Sequence, residues 1–131
     1  MEDCIFCDIV EGKSTSYKIY EDDKFYGFLD IYPASKGHVL LIPKKHYRWV
    51  HDVENFSEYW EKALKIKKTL DKAFKPEWVQ YLTHGVIPHA HIHIIPRYDK
   101  IDFFHVIPKQ GVIKFTKEEM EEIAKKIKEA F

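Results

Sequence analysis

Three histidines, His89, His91 and His93, alternate with Ala90, Ile92 and Ile94. In an extended backbone alternate side chains share a face. The three imidazoles would then point one way over roughly 13 Å, with the apolar residues pointing the other way into a core. Imidazoles are costly to desolvate and each needs hydrogen-bond partners, so packing alone has little use for three in a row. The chemistry open to such a row is nucleophilic attack or metal ligation. Plain surface histidines on an edge strand are the bland alternative. Gly85 and Pro88 mark a loop that leads into the stretch.

A second constellation sits near the start, where Cys4-Ile5-Phe6-Cys7 offers two thiols three residues apart. A structural disulfide is not expected in a reducing compartment. The spacing instead suits a metal half-site or a redox pair, with two unrelated buried thiols as the third reading. A thioredoxin-like motif needs a strand before it, and Cys4 lies too close to the start of the sequence for one.

The elements that would hold these groups follow from periodicity. Residues 17–30 read as a hairpin, with Tyr17 to Tyr20 alternating, a turn at Asp22-Asp23, and Phe25 to Leu29 returning. Pro33 and Gly37 bracket a loop. Val39-Leu40-Leu41-Ile42 is a continuous apolar run that reads as a central strand ended by Pro43. Over 57–74, Tyr59, Trp60, Ala63, Leu64, Leu70, Ala73 and Phe74 recur at helical steps, with Asn55 or Ser57 to cap the start and Pro76 to stop it. Residues 78–83 and 90–95 read as two more strands. The tail is a second amphipathic helix, with a Thr116/Glu119 capping box and a stripe of Met120, Ile123, Ala124, Ile127 and Phe131. Its early glutamates and late lysines match the helix dipole. Tight turns join several strands and only one helix interrupts them. The expected architecture is therefore α+β, a mainly antiparallel sheet with two helices.

With 131 residues the chain fits one domain spanning 1–131. No apolar run approaches the roughly 20 residues of a membrane span. The acidic start lacks the pattern of a signal peptide, so a cytoplasmic location is the default expectation. Basic and acidic residues are equal at 21 each, which disfavours a nucleic-acid polymer as the main partner but not a small phosphate ligand.

His-x-His-x-His followed by Ile94-Ile95-Pro96-Arg97 resembles the signature of the histidine-triad hydrolases and transferases. The resemblance extends to Cys4 through Val10, to Phe28-Leu29-Asp30-Ile31-Tyr32-Pro33, and to Gly37 through His46, in the family's order. It implies a five-stranded antiparallel sheet. It also implies that His91 attacks a nucleotide α-phosphate, forming a nucleotidyl-histidine intermediate that water then cleaves. By the same resemblance His93 donates to the phosphate oxygens, and His38 lies close to His91 and sets its tautomer. Asp30 accepts the ribose hydroxyls, while Ile5, Phe6, Ile9, Phe28, Ile31 and Leu40 wall the base. The zinc-bearing branch of the family further implies one structural zinc held by Cys4, Cys7, His46 and His89. Substrates would be dinucleoside polyphosphates or nucleoside phosphoramidates, with a purine the expected base, and the assembly a homodimer.

One stretch departs from the family. Tyr81 to Pro88 is short and mostly apolar where many members carry an Asn and a Gly-Gln-polar run that contact phosphate. Thr83 then stands where the Asn would be, and His84 supplies a missing polar contact. Two other functions stay in view, the first of them motivated by this departure. One is a non-catalytic nucleotide- or partner-binding module. The other is a metalloenzyme that uses all three triad histidines as ligands. His51 and His105 read as surface residues.

Overall fold

Apolar alternation is what the chain turns into a sheet. The computed structural model describes residues 3–98 and 113–131. It contains α1 (Ile5–Val10), β1 (Lys18–Glu21), β2 (Phe25–Leu29), β3 (Val39–Pro43), a short 3-10 turn at Val50–Asp52, α2 (Phe56–Phe74), β4 (Trp78–Leu82), β5 (Ile92–Arg97) and α3 (Lys117–Ala130). The five strands form one sheet in the order β1-β2-β3-β5-β4, and every pairing is antiparallel. The expected α+β sheet is what the chain forms, with a third, short helix added. Six residues are too few to show a helical period. The Cys4 Sγ caps this turn by accepting from the Cys7 backbone N–H.

Both faces of the sheet are covered, which is why β2 and β3 are buried at every position. Phe25, Leu29, Val39, Leu41, Ile92 and Ile94 face α2 and α3 and build the main core with Tyr59, Ile66, Leu70 and Ile127. Tyr26, Phe28, Leu40 and Ile42 face the opposite way, against Phe6, Cys7 and Ile9 of α1 and its N-cap Cys4. The parity of β3 and β5 thus separates a helix-packed core from the face that carries the chemistry.

Helix α2 starts at Asn55 without a side-chain cap and ends where Lys75 adopts a left-handed φ of 52° ahead of Pro76. Its buried stripe is Tyr59, Ala63, Ile66, Thr69 and Leu70. Leu64, expected in that stripe, is exposed, because the burial arc runs through 59, 63, 66 and 70 and turns position 64 to solvent. In α3 the Thr116/Glu119 capping box forms as the sequence implies. Phe131 remains largely exposed and leans on the Tyr20 ring. Among the described residues no helix is long and apolar enough to cross a membrane.

Candidate active site

Strand β5 begins at Ile92, so only His93 of the three histidines lies within it. His89 and His91 occupy the segment just before, where the Ala90 N–H donates to the Tyr47 carbonyl at 2.7 Å. Ala90, Ile92 and Ile94 enter the main core as the alternation requires. All three histidines are buried, yet they serve two different clusters.

His89 belongs to the first cluster. Its Nε2 lies 2.9 Å from the Pro43 carbonyl, which can only accept, so the ring proton sits on Nε2 and Nδ1 keeps its lone pair. That Nδ1 is 3.3 Å from Cys4 Sγ and 3.4 Å from Cys7 Sγ, and His46 Nδ1 is 3.2 Å from Cys7 Sγ. The four ligand atoms lie within 4.8 Å of one another. Zinc bonds of about 2.3 Å to sulfur and 2.0–2.1 Å to nitrogen put tetrahedral neighbours about 3.5 Å apart, so the donor set and spacing fit zinc. Burial and the neighbouring Cys4 push the Cys7 thiol up to about 12, so thiolates here call for a cation to hold them. His89 does not converge with His91 and His93 on a common point. This removes the three-histidine metal site drawn from the sequence.

The second cluster holds His91, His93 and His38, and backbone partners fix its protons. His91 Nδ1 is 2.8 Å from the His89 carbonyl. It must donate there, which leaves the Nε2 lone pair free. The Ala34 N–H donates to His38 Nδ1 at 3.0 Å, so a neutral His38 carries its proton on Nε2. That N–H points at His93 Nδ1, 2.8 Å away, and the proton of His93 is thereby placed on its own Nε2. His38 was expected to set the tautomer of His91. It sets that of His93 instead, because pairing Leu40 with His93 leaves His38 diagonal to His93 across the β3–β5 ladder. Phe6 from α1 meets the His91 ring edge-on at 5.3 Å and the His89 ring at 5.8 Å, lying between the two clusters.

These rings open on a cleft of about 430 Å³ lined by Ile5, Phe6, Ile9, Phe28, Asp30, Ile31, Leu40, His84, His91 and His93, among others. Every residue expected to wall the base is there. Ile5 and Ile31 are 50% and 63% exposed, so they form its rim rather than core. Asp30 is buried; its Oδ1 accepts the Tyr32 N–H at 2.8 Å, and its Oδ2 lies 3.5 Å from His38 Nε2. Burial raises its carboxyl above the ordinary value, partly offset by that backbone hydrogen bond. Thr83 does not line the cleft: its hydroxyl donates to the His91 carbonyl at 3.2 Å, since the short loop turns it back onto the strand. His84 does reach the cleft. Gly85 follows it beneath the Trp49 indole, where a Cβ would sit 2.0 Å from the ring, so only glycine fits. His51 is exposed beside Trp49, as expected, and His105 lies outside the described residues. A wider cleft of about 600 Å³ runs past Lys18, Lys117 and Lys128 but has no histidine or cysteine in its lining.

Burial also holds the pair His38 and His93 at about 3, well below the ordinary imidazole value. A folded state that keeps these rings neutral binds fewer protons than the unfolded chain, so their contribution is complete above about pH 6.5 and is lost as pH falls toward 3. From pH 6.5 to pH 5 each ring should remove on the order of 2 kcal/mol. Asp30, raised in the folded state, works in the opposite sense and offsets part of this. The urea midpoint should therefore fall between pH 7.5 and pH 5, and fall less in His38→Gln. An equal decline in both proteins would assign the acid sensitivity elsewhere.

Comparison with known proteins places this geometry. Residues 11–100 match the model of the HIT domain. The protein hit of Bacillus subtilis is 35% identical over 96% of this chain and 92% of its own length. The adenosine 5′-monophosphoramidase HNT1 of Candida albicans is 37% identical over 74% of this chain and 72% of its own. The crystal structure of a HIT-like protein involved in cell-cycle regulation from Bartonella henselae superposes with a TM-score of 0.86 at 32% identity, covering 100% of this chain and 98% of that one. Agreement of sequence and backbone over so much of the chain has one meaning: it belongs to the HIT, or histidine-triad, family.

Proposed function

We propose that this enzyme cleaves the α-phosphate linkage of nucleoside 5′-phosphoryl compounds through a covalent nucleotidyl-histidine on His91 and releases a nucleoside monophosphate. The observation that carries the proposal is the tautomer of His91. Its Nδ1–H is committed to a carbonyl, and its Nε2 lone pair faces the cleft. Phosphoramidates are the favoured substrate class, because HNT1 of Candida albicans is named for that activity; dinucleoside polyphosphates present the same α-phosphorus.

The base lies against Ile5, Phe6, Ile9, Phe28, Ile31 and Leu40, and Asp30 accepts from the ribose hydroxyls with the oxygen lone pairs that Tyr32 leaves open. His91 Nε2 forms a bond to phosphorus as the bond to the leaving group breaks; the leaving group departs with that electron pair and, when it is an amine, takes a proton from solvent. The imidazolium so formed keeps Nδ1–H on the His89 carbonyl, whose dipole stabilises the charge. His93 Nε2–H, fixed by the chain from Ala34, donates to a phosphoryl oxygen as negative charge gathers there. Water then attacks phosphorus, the N–P electrons return to Nε2, and the proton of water passes to solvent. Cys4, Cys7, His46 and His89 would hold a structural zinc, which would supply rigidity and leave no open coordination position for substrate.

Trapping tests the proposal. Adenosine 5′-phosphoramidate is mixed with the protein, quenched in base, and the peptides are read by mass spectrometry. An adenylyl group on His91 and release of AMP are expected. Turnover with the label on another residue would overturn the assignment of the nucleophile. Binding without turnover would instead make the chain a non-catalytic nucleotide-binding module.

A further inference from the structure

His84 lines the cleft, and its ring lies 4.6 Å from that of His91 and 5.1 Å from that of His93, centroid to centroid. Its Nε2 is 3.4 Å from His91 Nε2 and 3.1 Å from His93 Nε2. The Val86 backbone N–H donates to its Nδ1 at 3.2 Å, so the neutral ring carries its proton on Nε2.

Two relays therefore run inward from backbone amides. One passes from Ala34 through His38 to His93, the other from Val86 to His84. Each ends in an Nε2–H, and the two ends face each other at 3.1 Å. The one acceptor among the three meeting nitrogens is His91 Nε2. Two donors against one acceptor leave an N–H without a partner among these rings, turned toward the cleft that they line. The three residues' ligand atoms lie within 4.8 Å of one another, but a cation there would require His84 and His93 to move their protons to Nδ1 and give up the hydrogen bonds from Val86 and His38. An oxygen with several lone pairs would accept the N–H as it stands.

We infer that His84 is a further catalytic residue, a second N–H donor that meets the phosphoryl oxygens beside His93 while His91 attacks. The inference rests on the function proposed above and names one more group that touches the transferred phosphoryl. It also accounts for the apolar loop: a ring from its one histidine supplies the phosphate contact that Thr83, turned onto the strand, does not. In this role His84 donates a hydrogen bond and transfers no proton. The proton balance of the reaction is unchanged.

The test compares the affinities of AMP and adenosine for the wild-type protein, His84→Ala, His84→Phe and His84→Gln. The Phe variant keeps a ring without the donor, and the Gln variant keeps an N–H at similar reach. Loss of one hydrogen bond to a charged phosphate should weaken AMP about tenfold in the Ala and Phe variants. Adenosine should be unaffected in all four, and Gln should recover most of the AMP affinity. Equal AMP binding by His84→Ala, or parallel loss of AMP and adenosine, would overturn the inference and leave the proposed function standing. Failure of the wild-type protein to bind AMP at all would remove both.

Discussion

Replacing His91 with alanine is expected to lower turnover of adenosine 5′-phosphoramidate on the order of 10⁴-fold or more, with AMP affinity changed only several-fold. The two readouts separate because His91 would form a bond in the reaction, whereas the base and ribose are held by other residues. Among the imidazole nitrogens of the described cleft residues, His91 Nε2 is the one that the proton accounting leaves with an uncommitted lone pair. Neutral His91 is also favoured by burial, which lowers it from the ordinary imidazole value. The substitution leaves a small cavity beside Phe6, and stability is followed by thermal denaturation so that lost activity is not mistaken for unfolding. Turnover at the wild-type rate in folded His91→Ala protein would falsify the covalent mechanism.

The second large effect concerns the four-ligand cluster. Cys4→Ser should purify without the one equivalent of zinc expected in the parent protein, and should lose about 3 kcal/mol of stability. That corresponds to a fall on the order of 10 °C in Tm. Cys4 is tied to His89 across 85 positions of chain and also caps α1, so the substitution loosens both the helix and the approach to β5. A chelator should lower the Tm of the parent protein toward that of Cys4→Ser and leave the variant unmoved. Activity should fall as well, since the His89 backbone carbonyl orients His91 while the His89 side chain sits in the cluster. Zinc content unchanged by the substitution would separate Cys4 from any metal.

How much of this could be read from the chain alone depends on sequence distance. The alternation at 89–94 reports a local property, side-chain parity, and parity carries over into the structure: Ala90, Ile92 and Ile94 pack in the core while His91 and His93 face the cleft. Asp30 and the apolar residues named by family resemblance line one cleft with His91 and His93. The gathering of Cys4, Cys7, His46 and His89 was legible only through that resemblance, because no local pattern encodes contacts across 39 and 85 residues. The partner of His38 went astray for a related reason. Antiparallel pairing was foreseeable, but the register that sets Leu40 opposite His93 was not. His84 stood in plain view, and its proximity depends on a loop whose path is set by Gly85 against Trp49. Helix α1 was missed because one and a half turns give periodicity nothing to repeat.

That contact between Gly85 and Trp49 has a practical use. The indole rests on the residue beside His84, and indole emission responds to its immediate surroundings. With Trp60 and Trp78 changed to phenylalanine, the remaining fluorophore would watch the loop optically. A nucleotide titration could then be followed in real time without labelling the protein.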